Sequence, residues 1–120
     1  MFKKILILFL WIGLSQSILV SAQTNIEPKK IEFLLHEIEQ LKGARFWRNG
    51  SSYSPKRAAD HLRMKWEKAG SAVKTAEDFI EKIASKSSMS GKAYMIEFDN
   101  GTKTETKVFL YKKLEKWSEK

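Results

Sequence analysis

The feature that most limits what this chain can fold into is the apolar run at its start. Lys3 and Lys4 precede Ile5 to Leu14, a stretch broken only by Gly13. Ser15, Gln16 and Ser17 interrupt it before Ile18, Leu19 and Val20, and Val20-Ser21-Ala22 ends it on compact residues. Positive charge, an apolar stretch and a small-residue cut site are the pattern of a secretory signal peptide. The rival reading is a membrane anchor, which wants about 20 unbroken apolar residues; the Ser-Gln-Ser step counts against it. Cleavage near Ala22 leaves residues 23–120, 98 in all, to make the fold. The expected organisation is a signal peptide over 1–22 and a single small domain over 23–120, periplasmic or secreted, with no transmembrane segment in the mature chain.

A domain of that size buries about 65% of its unfolded surface in one small core, which excludes a multidomain enzyme. Cysteine is absent from the 120 residues, so no disulfide, thiolate zinc site or iron–sulfur cluster is expected. His36 and His61 form no His-x-x-x-His pair and no acidic calcium loop occurs, so no metal is expected. No cofactor is implied either.

Periodicity predicts four helices and two or three extended segments. Ile31, Leu34, Leu35, Ile38 and Leu41 repeat at three and four residues, which predicts a helix from Pro28 to Leu41, with Gly43 just past its end. Ala44 to Arg48 reads as a short strand ended by Asn49-Gly50, a positive-φ turn signal. In a strand Phe46 and Arg48 share one face, while Arg45 and Trp47 share the other. Ser54-Pro55 opens a second helix that runs to Ala69, Ser as N-cap and Pro as first residue. Ala58, Ala59, Leu62, Trp66 and Ala69 form its apolar side. Thr75 with Asp78 approximates a capping box for a third helix to Ser85, whose buried stripe is Phe79, Ile80, Ile83 and Ala84. Lys92 to Phe98 alternates as a half-buried strand. Asn100-Gly101 is a second turn, and Lys103 to Lys107 either pairs back as a strand or leads straight into a last helix carrying Leu110, Tyr111, Leu114 and Trp117. The fold class is α+β: about four helices packed with a two- or three-stranded sheet.

Charge singles out one window. The whole chain carries a formal +8, and residues 42–68 hold eight basic side chains against two acidic ones. On the second helix Lys56, Asp60, Arg63 and Glu67 alternate in sign, an arrangement that stabilises a helix by itself. Arg57, His61, Met64 and Lys68 form a basic side without an acidic partner on that helix. Such an excess attracts anions. Arg48, Asn49 and Gly50 offer a guanidinium and turn amides, and Ser87, Ser88, Ser90 and Gly91 offer hydroxyl and amide donors.

Phe46, Arg48-Asn49-Gly50, His61-Leu62-Arg63, Lys65, Thr75-Ala76-Glu77, Phe79-Ile80, Ser87-Ser88, Ser90-Gly91 and Tyr94 occur in this order at close spacings. From Ile31 to Phe98 the chain thereby resembles the YfeK-like family of short exported bacterial proteins, a domain of unknown function. The resemblance implies a bacterial, extracytoplasmic protein. It brings no activity, cofactor or catalytic residue.

The expected function is an exported, non-enzymatic binding module for an anionic group: an acidic glycan, a phosphate or a carboxylate. Its candidate ligand-binding residues are Arg48, Asn49, Gly50, Arg57, His61, Arg63, Lys65, Lys68, Ser87, Ser88, Ser90, Gly91 and Tyr94. The alternative is a protein–protein interaction or inhibitor module of the cell envelope. A small Ser/His hydrolase ranks lower, because Asp60 and His61 are helical neighbours that do not face each other. Nucleic acid ranks behind an envelope component: Trp66 lies on the apolar side of its helix, leaving Trp47 to stack, and export removes the partner.

Overall fold

The apolar stripe of the first segment does form a helix. In a computed structural model, which describes residues 26–118, α1 spans Ile26–Glu39 and buries Ile31, Leu34, Leu35 and Ile38. The predicted signal peptide and its cut site lie outside the described residues. α1 begins earlier than its Pro28 signal and ends before Leu41. Its start is tied down by Glu27, whose Oε1 accepts a hydrogen bond from the Ala76 amide at 2.9 Å. Its end tightens into an irregular turn, with the Leu41 amide donating to Ile38 at 3.2 Å.

Strand β1 covers Arg45–Arg48 and β2 covers Ser51–Tyr53. Asn49 (φ 52°) and Gly50 (φ 81°) join them, and Arg48 pairs directly with Ser51. Two central residues of positive φ suit the right-handed twist of a tight hairpin, as Asn-Gly predicts. β2 is the strand beyond the expected two or three: three residues, Ser51-Ser52-Tyr53, carry too little alternation to announce themselves. Helix α2 follows over Pro55–Ala69, with Ser54 Oγ accepting from the Arg57 amide, and closes at Gly70 with φ 53°.

After a 3₁₀ turn at Gly70–Ala72, Thr75 Oγ1 caps α3 by accepting from the Asp78 amide at 3.0 Å. α3 starts as an α-turn over Ala76–Asp78 and continues as a π-helix over Phe79–Ala84. Phe79, Ile80, Ile83 and Ala84 are all buried. β3 is confined to Met95–Glu97, shorter than the alternating 92–98 stretch. Its approach is held in a loop, where the Ser87 amide donates to Lys92 O and the Tyr94 amide to Ser85 O. The stretch after Asn100-Gly101 does both things open to it: β4 pairs back over Lys103–Glu105, and α4 begins at Thr106 and runs to Glu115.

The four strands form one antiparallel sheet in the order β2-β1-β3-β4, so the fold is α+β. Register places Phe46, Tyr53, Ile96 and Thr104 opposite one another on one face. That face is covered; Phe46 and Ile96 join Leu34, Leu62, Phe79 and Leu110 in the core. Trp47 lies on the other face, where its Nε1 donates to Glu97 Oε1 at 2.9 Å and the Lys103 ammonium sits 5.7 Å from its ring centroid. No helix among the described residues is long and apolar enough to cross a membrane.

Candidate functional site

Arg48 is the last residue of β1 and shares the covered face with Phe46. The turn ends the sheet there, so its side chain leaves the core edge beside α2. Arg48 Nη1 donates to His61 Nε2 at 2.9 Å, and Nη2 donates to Tyr53 Oη at 3.1 Å. Its guanidinium carbon lies 5.1 Å from the Tyr53 ring centroid, and that of Arg57 lies 5.8 Å from the same centroid. Neither arginine pairs with a carboxylate among the described residues.

A guanidinium only donates, so His61 accepts through a ring lone pair; Nε2 is the nearer nitrogen, and Nδ1 lies 3.4 Å from the same Nη1. Partial burial, with the charges of Arg48, Lys65 and Lys68 added, pushes the imidazole below its usual pKa and keeps it neutral. The hydrogen bond from Arg48 is the main influence that draws the Tyr53 phenol below its ordinary range. Beneath these groups is a cleft of about 110 Å³. Phe46, Ala58, Leu62 and Tyr94 give it apolar walls, and Thr106 lies along it. Thr106 is 1% exposed, and its hydroxyl has no hydrogen-bond partner among the described residues.

The serine loop does meet the Asn49 turn. Asn49 Nδ2 donates to Ser87 Oγ at 3.0 Å, and Ser90 Oγ donates to Asn49 Oδ1. Ser87 is buried and also accepts from the amides of Met89 and Ser90. These donors are spent on each other, and the contact works as a staple between the hairpin and the loop. Gly50, Ser88 and Gly91 are exposed around it.

The basic residues of α2 divide by partner. Arg63 turns away to Glu32 of α1, at 3.0 Å. Lys65 Nζ donates to Ile83 O at 2.8 Å and to Tyr94 Oη at 3.1 Å, so its ammonium is satisfied within the fold beside the cleft wall that Tyr94 forms. Lys56 pairs with Asp60 at 3.1 Å. Lys68 is exposed, and its charge reaches His61. The Ser, His and Asp that a hydrolase would need each bond another group: His61 bonds Arg48, Ser87 and Ser90 bond Asn49, and Asp60 bonds Lys56. No cluster of metal-ligating side chains occurs among the described residues.

Tyr53 and Thr106 were not among the sequence candidates. Tyr53 follows a turn in a strand too short to read, and a lone Thr in an ambiguous stretch carries no signal at all.

Fold and site together define a small α+β domain with a cationic, apolar-walled cleft at one end of its sheet. Residues 25–118 match the model of the "Family of unknown function (DUF5329)", and the chain belongs to that family. It is also 40% identical over 68 residues to "Uncharacterized protein YfeK" of Salmonella typhimurium (strain LT2), an alignment that covers 57% of this chain and 57% of that relative. The chain thus spans little more than half the length of the curated relative it matches. No solved structure matches it significantly.

Proposed function

We propose that the protein is an exported, non-enzymatic binding module that recognises an anionic group through Arg48 and Arg57, with His61 and Tyr53 holding Arg48 in position. One observation carries this reading. Arg48 is half-buried and fixed by two neutral acceptors, yet it has no carboxylate partner among the described residues. A guanidinium held this way is oriented without being neutralised, and most of its five N–H donors remain for a ligand. Arg57 adds a second charge beside the same ring, so an anion also relieves the repulsion between two cations. Arg63, satisfied by Glu32, lacks this character. The apolar run and compact residues before Gln23 support export; the envelope then supplies carboxylates, phosphates and acidic glycans as ligands.

Titration of the purified protein with acetate, phosphate and an acidic oligosaccharide, followed by NMR shifts, tests the reading. A charge-assisted hydrogen bond contributes about 1.5–3 kcal/mol, so Arg48→Ala should weaken binding about tenfold or more. Arg63→Ala should leave affinity unchanged. Failure of every anion to bind, or equal losses in both variants, would refute the proposal.

A further inference from the structure

The anion reading accounts for the mouth of the cleft and leaves its interior unexplained. A site for a bare inorganic anion needs donors and no apolar interior. Here the donors stand above walls of Phe46, Ala58, Leu62 and Tyr94. The space, about 110 Å³, is somewhat smaller than the engineered cavity of roughly 150 Å³ that takes up benzene. It therefore suits one ring or a compact branched hydrocarbon, and no long acyl chain.

Thr106 supplies the second constraint. It stands at the first position of α4, where Glu105 gives no side-chain cap. Its amide is satisfied by Tyr94 O at 2.9 Å, but its hydroxyl is buried without a partner among the described residues. Buried hydroxyls are nearly always paired, because an unmet one forfeits its hydration without return. Thr106 is one of the residues that line the cleft, and a hydroxyl rotor can turn to donate or to accept.

Resting on the anion-binding reading, we infer that the cleft takes a small carboxylate with an aromatic or compact apolar body and a hydrogen-bonding group at its far end. The carboxylate meets Arg48 and Arg57, the body lies between Phe46, Leu62 and Tyr94, and the distal polar atom partners Thr106 Oγ1. The two ends are read by different residues, so each end can be tested alone.

The probes are 4-hydroxyphenylacetate, phenylacetate and inorganic phosphate, titrated calorimetrically into the purified protein. One neutral hydrogen bond changes affinity by about fivefold, so wild type should prefer 4-hydroxyphenylacetate to phenylacetate by that factor. Thr106→Val should abolish the preference, keep phenylacetate affinity and raise the melting temperature of the free protein, because it removes the unmet hydroxyl. Thr106→Ser, which keeps the hydroxyl, should retain the preference and secures the test if the valine variant folds poorly. Equal affinity of wild type for the two aromatic acids, or a preference that survives in Thr106→Val, overturns the inference. So does binding of phosphate, dependent on Arg48, without binding of either aromatic acid; in all these cases the anion reading stands. If none of the three probes binds, this inference falls, and the acidic oligosaccharide decides the anion reading separately.

Discussion

Arg48 owes its position to the two residues after it. Asn49-Gly50 takes positive φ at both places, which stops β1 there and leaves the guanidinium at the core edge, between Tyr53 and His61. His61 in turn must stay neutral to accept its bond. Burial first, then Arg48, Lys65 and Lys68, lower its pKa from 6.5, and the Tyr94 ring packs edge-on against it at 6.4 Å. In the pH interval between the lowered folded value and 6.5 the unfolded chain binds more protons than the folded one, so stability rises with pH there. The contribution is complete above the unfolded value and is lost as pH falls from it through the folded value. Thermal melts from about pH 8 to about pH 5 should show wild type losing more melting temperature on acidification than His61→Gln, whose amide oxygen still accepts from Arg48. Superimposable profiles would mean that His61 does not titrate as described. At this scale the sequence was legible wherever a residue type has a single use. Asn-Gly had to be a turn, and Arg48 had to share a face with Phe46. Arg63 was not legible, because its partner Glu32 is 31 positions away and on another helix. Nor was Thr106, whose meaning is the absence of a partner.

Among the elements, α3 depends most on help from outside itself. Its π-helical second half ends at Ala84, and the carbonyl of Ile83 is met by the ammonium of Lys65 from α2 at 2.8 Å. Helix ends leave carbonyls without intrahelical donors, and Lys65 satisfies this one while also holding Tyr94 Oη, with its charge 5.0 Å from the ring centroid. Lys65 thus joins α2, α3 and the approach to β3. Lys65→Met keeps most of the apolar stem of the side chain and removes the donor. It leaves a carbonyl and a phenol unmet in a half-buried place, at a cost of about 1–3 kcal/mol, which urea unfolding would read as a lower midpoint with unchanged slope. A loss below about 0.5 kcal/mol would show that water replaces the ammonium freely. The buried stripe of α3 was legible, but its π character was not. Phe79, Ile80, Ile83 and Ala84 are spaced by fours and fives as well as by threes, so the pattern suits either helix. β2 was missed for a related reason: periodicity needs more residues than three.

Across the whole molecule, α1 distributes its carboxylates to every other long helical segment. Glu27 accepts from the Ala76 amide at the start of α3, Glu32 holds Arg63 of α2, and Glu37 holds Lys113 of α4 at 3.3 Å. The acidic first helix therefore offsets part of the basic window that follows it. Within that window Arg48 and Arg57, neither of which pairs with a carboxylate among the described residues, both lie beside the Tyr53 ring at the hairpin, where the candidate site is placed. Glu27 also bears on the N-terminal boundary. It lies four residues after Gln23, the first residue of the proposed mature chain. Partial burial opposes its ionisation, but the Ala76 amide and Lys30, whose ammonium is 3.0 Å away, outweigh this and lower its pKa. Its contribution is therefore present above the ordinary carboxylate value of 4.5 and is lost as pH falls through the lowered one. N-terminal sequencing of the protein recovered from the extracytoplasmic fraction should read from Gln23, so processing would spare this tie. Glu27→Ala in that processed form should then cost about 1–3 kcal/mol, because the Ala76 amide loses a charged acceptor. The deficit in urea midpoint should shrink as pH falls below 4.5 and through the lowered Glu27 value, where the wild-type carboxylate itself takes up its proton. A variant as stable as wild type at neutral pH, or a deficit that does not change with acid, would remove Glu27 as the anchor of α1 to α3.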